Sequence, residues 1–102
     1  MDLKILLHVS EELEDSKEVI ERLINENLEN KLSHYLNKFN KKDSEGTIDL
    51  SVDKNSRGLF DGRLQANFDG NSYRSEREDF KNLDDLVNHL FSHIKMSLSK
   101  EK

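Results

Sequence analysis

The segment Leu83–Leu98, LDDLVNHLFSHIKMSL, decides the fold of this chain. Its apolar residues recur mainly at steps of three and four, which is the spacing of one face of an α-helix. Asn82 is expected to cap this helix, with Asp84 and Asp85 in the first turn, where the helix dipole favours negative charge. A helix with one apolar face needs a sheet or another helix to pack against. The apolar stripe comprises Leu83, Leu86, Val87, Leu90, Ile94 and Leu98.

The segments before this helix alternate with the period of a β-strand. Residues 71–76, which include Tyr73, form a weaker third candidate strand. The links 54–58 and 69–71 contain Asn, Ser, Asp and Gly, which favour tight reversals, so neighbouring antiparallel strands are expected. The apolar positions of the two stronger strands are Ile48, Leu50 and Val52, then Phe60, Leu64, Ala66 and Phe68.

The amino-terminal part predicts one more strand and a long helix. The strand places Leu3, Ile5, Leu7 and Val9 on one side. An acidic link over residues 10–15 follows, and Asp15 or Ser16 is expected to cap the helix, because Asp15 and Glu18 have the spacing of a capping box. The helix is expected to end near residues 40–43. Its apolar stripe comprises Ile20, Leu23, Ile24, Leu28, Leu32, Tyr35 and Phe39.

The predicted order is therefore β-α-β-β-β-α, an α+β fold of two layers. Both helices are expected to cover one face of a four-stranded sheet, because each helix has one apolar stripe and each strand one apolar face. The other sheet face is left to solvent or a partner. It is expected to carry Lys4, His8, Asp49, Asp53, Asp61, Arg63, Gln65, Asn67 and Arg74.

Length and composition predict one domain over residues 1–102. Apolar residues make up 33% of the chain and charged residues 36%, yet the apolar residues are periodic, which indicates a globular protein. Cysteine is absent, so disulfides and thiolate metal sites are excluded. The apolar run at residues 5–7 is too short for a signal peptide or a membrane span, and a cytosolic protein with no membrane partner is expected.

The sequence offers no catalytic signature. It has no Gly-rich phosphate loop, no nucleophile elbow, and no pair of carboxylates that stands out from the other acidic residues. We therefore expect a protein that is not an enzyme and that needs no cofactor.

Three short runs carry a resemblance to a known family. Lys31-Leu32-Ser33-His34-Tyr35 resembles the Lys-Leu-x-Lys-Tyr run of the ribosome hibernation-promoting factor and ribosome-associated factor Y family. The segment Phe80–Leu90 is similar to that family's aromatic-x-x-Ile-Asp-x-x-x-Asp-Lys-Leu pattern, and the strand Ile48–Val52 to the strand that follows its first helix. The resemblance covers most of the chain, which would be a short form of the family.

This resemblance implies a non-enzymatic inhibitor of translation. Such a protein binds rRNA of the small ribosomal subunit, in the channel used by mRNA and tRNA, and holds idle ribosomes inactive. The family fold also resembles double-stranded RNA-binding domains, which read A-form RNA by shape and charge.

The net charge of −5 opposes RNA binding, because RNA affinity comes largely from Lys and Arg that neutralise phosphates. The positive charges lie mainly in the two helices. A second hypothesis is therefore a protein-interaction module with the same fold, which binds a basic protein through the acidic region 43–79. The candidate RNA-binding residues are Lys31, His34, Lys38, Arg63, Arg74, His89, His93 and Lys95.

The last helix departs from the family's basic run, Lys-Leu-x-Arg-Gln-Leu-x-Lys, because His89, Ser92 and Met96 stand at its basic positions. His89 and His93 face the same way on a helix, as metal chelation would require, but no third ligand accompanies them and no metal site is predicted. Alternatively, they act as cations only in acid. Phe91 and Met96 lie beside the apolar stripe, where extra packing is a simpler interpretation than a partner surface.

Overall fold

The computed structural model describes residues 2–36, 45–68 and 70–100 and has a mixed sheet covered by helices on one face. The strands lie in the order β1-β2-β3-β4; β1 runs parallel to β2, and the other neighbours are antiparallel. This arrangement confirms the predicted α+β class and the antiparallel pairing of the last three strands. The strands are β1 (Asp2–Val9), β2 (Glu45–Lys54), β3 (Phe60–Phe68) and β4 (Asn71–Phe80).

The first helical segment differs from the prediction at its start. Residues 10–15 were expected to form a link, but Glu11–Ser16 is a 3₁₀ helix, because Leu13 folds into the core and is 4% exposed. Ser16 occupies the cap position of α1 (Lys17–Asn27) without a side-chain capping bond, so the expected capping box is absent. A π-helical turn (Leu28–Leu32) and the short α2 (Ser33–Leu36) continue the segment. The predicted helix end at 40–43 and Phe39 lie outside the described residues.

The last helix, α3 (Leu83–Lys100), begins directly after Asn82, as predicted. The Asn82 carbonyl accepts a bond from the Leu86 N–H at 3.1 Å, and its side-chain amide donates to Asp85 Oδ2 at 3.3 Å. Phe91 is fully buried, which confirms the packing interpretation for this residue, whereas Met96 is 57% exposed.

A single apolar core lies between the helices and the sheet. It contains all the predicted interior positions of β2 and most of those of β3 and the two helical stripes. The fully buried side chains include Ile20, Ile24, Leu32, Ile48, Leu50, Val52, Ala66, Phe68, Leu86, Leu90 and Ile94.

Two strands differ from their predictions. Ile5 was expected in the core but is 37% exposed, because β1 lies at the edge of the sheet and pairs only with β2 among the described strands. β4 extends to Phe80, four residues beyond its predicted end, across a register shift that lies opposite the Phe60–Gly62 segment. Asp79 lies in this irregular region with φ 62°, a conformation that is uncommon for a residue other than glycine.

Polar side chains tie this bulge to the β2–β3 turn. Asn55 Nδ2 donates to Asp61 Oδ1 at 3.0 Å and to Asp79 Oδ1 at 2.8 Å, and Arg57 forms an ion pair with Asp79. The Asp79 N–H also donates to Asp61 Oδ1 at 3.0 Å. These contacts hold Asp79 in its left-handed conformation.

Gly62 sets how closely α3 approaches the sheet. A Cβ atom at this position would lie 2.9 Å from Leu90 Cδ1 and 3.1 Å from Leu86 Cδ2. A contact of 2.9 Å is shorter than a Cβ atom normally makes, so a larger residue here would require the leucine side chains to move or α3 to shift outward. This contact fixes the position of the helix that carries most of the candidate site.

Candidate nucleic-acid interface

Polar side chains join the first helical segment to α3. Lys31 Nζ donates to the Asn88 carbonyl oxygen at 2.9 Å and to Ser92 Oγ at 3.0 Å. Asn27 is 3% exposed, and its amide donates to the Leu23 carbonyl at 2.7 Å and to Asn88 Oδ1 at 2.9 Å. We call Asn27, Lys31, Asn88 and Ser92 the helix seam. Lys31 therefore holds the two helices together as well as adding positive charge to their junction.

The surroundings of Lys31 disfavour its charged form. Partial burial between the helices lowers the pKa of Lys31, and the positive charge of nearby Lys95 lowers it further. The structure thus brings together two of the predicted cations, Lys31 and Lys95, at the seam. An anion placed there would relieve the repulsion between them.

The other flank of α3 faces β4. The His89 ring meets the Phe80 ring edge to face, with centroids 5.0 Å apart. His93 is half-buried, and its Nδ1 lies 3.5 Å from Arg77 Nη2. His89 and His93 are therefore neighbours on one side of α3, as predicted, with Arg77 as an additional cation beside them.

The exposed surface of α3 after its first turns is free of acidic residues. Asp84 and Asp85 lie at its amino-terminal end, and no Asp or Glu occurs from there to Lys100. We call this surface, from Asn88 to Lys100, the α3 ridge. Lys31 borders the ridge on one side and Arg77 on the other, so a cation flanks each side of a helical segment that itself carries no carboxylate.

The remaining helical candidates lie beyond the ridge. His34, on α2, is exposed, and its ring packs edge to face on Tyr35 with centroids 5.5 Å apart. The outer surface of α1 is mixed in charge, with an ion pair between Arg22 and Glu26 at 3.7 Å. Lys38 lies outside the described residues.

Arg63 and Arg74 lie on the opposite, open face of the sheet, so the structure does not bring them together with the helical candidates. Arg63 stands opposite Glu76 in the β3–β4 register, and Arg74 Nη2 lies 3.6 Å from Glu76 Oε1. On the same face His8 Nε2 lies 3.4 Å from Asp49 Oδ1. The cations of this face are thus interspersed with carboxylates.

Sequence reasoning missed Arg77, Asn88 and Ser92. Arg77 was missed because residues 77–80 are too charged to resemble a strand. Tyr73 and Ser75 are both buried on the helix side of β4, and the same two-residue alternation places Arg77 on that side as well. No comparable signal exists for Asn88 and Ser92, because their role depends on which residue of the other helix lies opposite.

Across residues 2–36, 45–68 and 70–100, no group of three or more His, Asp or Glu side chains could hold a metal ion. None of the helices in these ranges is long and apolar enough to cross a membrane.

No protein-family model matches this sequence, and no curated protein gives a significant match. Among solved structures, the chain is similar to the N-terminal domain of Protein Y from Thermus thermophilus, with a TM-score of 0.63 and 17% sequence identity. The alignment covers 100% of both chains. At this identity the likeness establishes the fold alone, and it agrees with the fold expected from the runs in the first and last helices. The chain has the fold of the Protein Y N-terminal domain.

Proposed function

We propose that this protein is a non-enzymatic, cytoplasmic inhibitor of translation that binds rRNA of the small ribosomal subunit in the mRNA and tRNA channel. The α3 ridge, acid-free and bordered by Lys31 and Arg77, is the observation that carries the proposal. The sequence resemblance and the likeness to the Protein Y N-terminal domain support the ribosome as the source of the RNA.

The acidic residues are unevenly distributed over the surface in a way that suits this role. A net charge of −5 would repel RNA if it were spread evenly over the surface. Carboxylates are instead interspersed on the open sheet face and on α1, whereas the α3 ridge has none after Asp85. Within a Debye length of about 8 Å at physiological salt, a phosphate on the ridge is influenced mainly by the nearby cations.

The seam prepares Lys31 for a phosphate contact. An ammonium group has three donors, and Lys31 uses two on the Asn88 carbonyl and Ser92 Oγ. The third donor remains for a phosphate oxygen. Lys95 and Lys100, both exposed on the ridge, would contact neighbouring phosphates.

Sedimentation of the purified protein with small ribosomal subunits across a salt series tests this proposal. Binding is expected to fall steeply with salt, and Lys95→Glu is expected to weaken it and to reduce the slope of log K against log salt by about one. Lys54→Glu, an equally charged change at the exposed end of β2, serves as the control and is expected to have little effect. Salt-independent binding, or equal losses for both variants, would contradict the assignment of the ridge.

Two further readouts separate parts of the proposal. The wild type is expected to inhibit a cell-free translation assay, and Lys95→Glu is expected to inhibit less. Equal co-sedimentation at about pH 6 and about pH 8 at fixed salt would exclude a contribution from the charged forms of His89 and His93. Arg63 and Arg74 lie on the open face of the sheet, away from the α3 ridge, so any RNA contact they make would be a separate one.

One observation favours the second candidate function, a module that binds a basic protein. Asp53 stands opposite Asp61 in the β2–β3 register, and with Glu76 and Glu78 they supply four carboxylates to a shallow hollow that Arg63 and Arg77 also line. Capture of a basic protein that persists after nuclease treatment, without ribosome association at low salt, would favour this function. Loss of that capture in Asp53→Lys would assign it to the hollow.

A further inference from the structure

The free edge of the sheet at β1 is an interaction surface of its own. The Ser10 N–H donates to the Val52 carbonyl of β2 at 3.2 Å, which fixes the phase of the parallel ladder. In a parallel strand the N–H and C=O of one residue point to the same neighbour. Even-numbered residues of β1 therefore face β2. The backbone groups of Leu3, Ile5, Leu7 and Val9 point to the free edge.

The two edges of the sheet differ in their protection against strand pairing. β4 carries alternating charges and the bulge at Asp79, both of which discourage the addition of another strand. β1 has an unbroken register with β2 and no proline, and Ile5, Leu6 and Leu7 form its centre. It thus has neither a bulge nor a proline to block a partner strand, and Lys4 is the one lysine along it.

The pattern of β1 reads the same in both directions. Leu3–Val9, LKILLHV, is apolar, basic, three apolar, basic and apolar, with Leu6 at its centre. A second copy of β1 placed antiparallel, with a two-fold axis beside Leu6, would pair Leu3 with Val9 of the partner subunit and Ile5 with Leu7 of the partner subunit. All the outward backbone groups then form hydrogen bonds, whereas a shift of this register leaves some unpaired. We propose that the protein forms a two-fold symmetric dimer through antiparallel pairing of β1 with β1 of a second copy.

Side chains on both faces fit this pairing. On the helix side, Ile5, which is 37% exposed, would be covered by Leu7 of the partner subunit. On the open face, Leu6 meets Leu6 of the partner subunit. Lys4 meets His8 of the partner subunit, and the charge of Lys4 is offset because each His8 lies 3.4 Å from the Asp49 carboxylate of its own chain.

The dimer is expected to be weak, because a single pair of strands buries less than the ~1,000 Å² typical of stable interfaces. It leaves the α3 ridge uncovered, since the ridge lies on the helical layer and not at the β1 edge. The dimer and ribosome binding are therefore independent, and failure of one leaves the other intact.

Disulfide trapping tests the dimer and its register, because the wild type has no cysteine. Under mild oxidation Leu6→Cys is expected to form a covalent dimer at least tenfold faster than Lys4→Cys. Both positions lie on the open face of β1, but Lys4 faces His8 of the partner subunit. The double variant Lys4→Cys/His8→Cys is expected to crosslink as well, and its two thiols lie about 13 Å apart within one strand, too far for an internal bond.

Sedimentation equilibrium completes the test. The molar mass of the wild type is expected to rise with concentration from one chain toward two. Leu6→Lys, which places like charges at the axis, is expected to stay at one chain. A wild type that remains a monomer at about 1 mM, together with Leu6→Cys and the double variant crosslinking no faster than Lys4→Cys, would overturn the proposal. The double variant changes only exposed side chains, so it remains informative if substitution of Leu6 disturbs folding.

Discussion

Gly62→Ala tests the closest approach of α3 to the sheet. The added methyl group would lie 2.9 Å from Leu90 Cδ1 and 3.1 Å from Leu86 Cδ2, below normal carbon–carbon contact. Both leucines are fully buried, so their side chains have little free space into which to move. The helix must shift outward or the leucines must leave their preferred rotamers.

The expected loss of stability follows from two opposing terms. Overpacking a core costs about 1–3 kcal/mol, whereas replacing glycine with alanine restricts the unfolded chain and stabilises by about 0.4–1 kcal/mol. Taken at the middle of each range, the net destabilisation is about 1.3 kcal/mol. For a domain of this size, this corresponds to a fall in Tm of about 5–10 °C.

The assay is urea unfolding of four proteins in a double-mutant cycle. Leu90→Ala alone is expected to cost about 2–5 kcal/mol because it leaves a cavity. In Gly62→Ala/Leu90→Ala the new methyl group enters that cavity, so the double variant is expected to be more stable than the sum of the single changes predicts, by about 0.5–2 kcal/mol.

Gly70→Ala is the matched control. Gly70 has φ 89° and no neighbouring atoms within 4 Å of a Cβ, so its substitution acts through backbone strain alone. Its effect is expected to be additive with Leu90→Ala. The reasoning would be refuted if Gly62→Ala were as stable as the wild type. It would also be refuted if the effects of Gly62→Ala and Leu90→Ala were additive, as those of Gly70→Ala and Leu90→Ala are expected to be.

Two further predictions concern the helix seam and the β4 bulge. Lys95→Gln is expected to raise the pKa of Lys31 toward its ordinary value of 10.5, because a repelling charge is removed. Lys100→Gln is the control and is expected to leave this pKa unchanged. Both pKa values are measured by NMR titration of the Lys31 ¹³Cε signal. The unfolded chain keeps the Lys31 proton to higher pH than the folded chain does. The free energy of unfolding is therefore expected to rise with pH between the lowered pKa and 10.5. A free energy of unfolding that falls over this pH range because of Lys31 would contradict the lowered pKa. Asp79→Ala is expected to be about 1 kcal/mol less stable than Asp79→Gly in urea unfolding, because both lose the contacts with Asn55 and Arg57 but only alanine is strained at φ 62°. Equal stability of these two variants would show that Asp79 bears no backbone strain.

Local patterns predicted most of the architecture. The alternation around Leu50 and Leu64 and the stripe around Leu90 identified the strands and helix correctly, because a side chain buried on one face recurs with the period of its own element. The predictions were wrong where a residue's environment depends on a distant neighbour. Leu13 is buried by the tertiary fold, and Ile5 is exposed because none of the strands in residues 2–36, 45–68 and 70–100 lies beyond β1.

The candidate site was predictable only in part. Lys31 and Lys95 were selected as cations, but their proximity depends on which helical turns meet across the seam. Arg63 is separated from the helical candidates because its side chain lies on the open face of β3. The alternation of Arg63 with Leu64 in the sequence predicted this position correctly. Arg77 borders the ridge because β4 continues past Glu76 in phase with Tyr73 and Ser75, which the charged residues 77–80 do not suggest.

The sequence by itself determined the element order, the apolar faces and the excess of acid, because these depend on residue type and on the 2.0 and 3.6 periodicities of the backbone. Tertiary structure decided which charges are neighbours. It placed Lys31 against Asn88 and Ser92, brought Arg77 beside His93, and put β1 at the edge of the four described strands. The physical reason is that charge interactions and strand pairing depend on distances through space, and packing sets these between residues far apart in the chain.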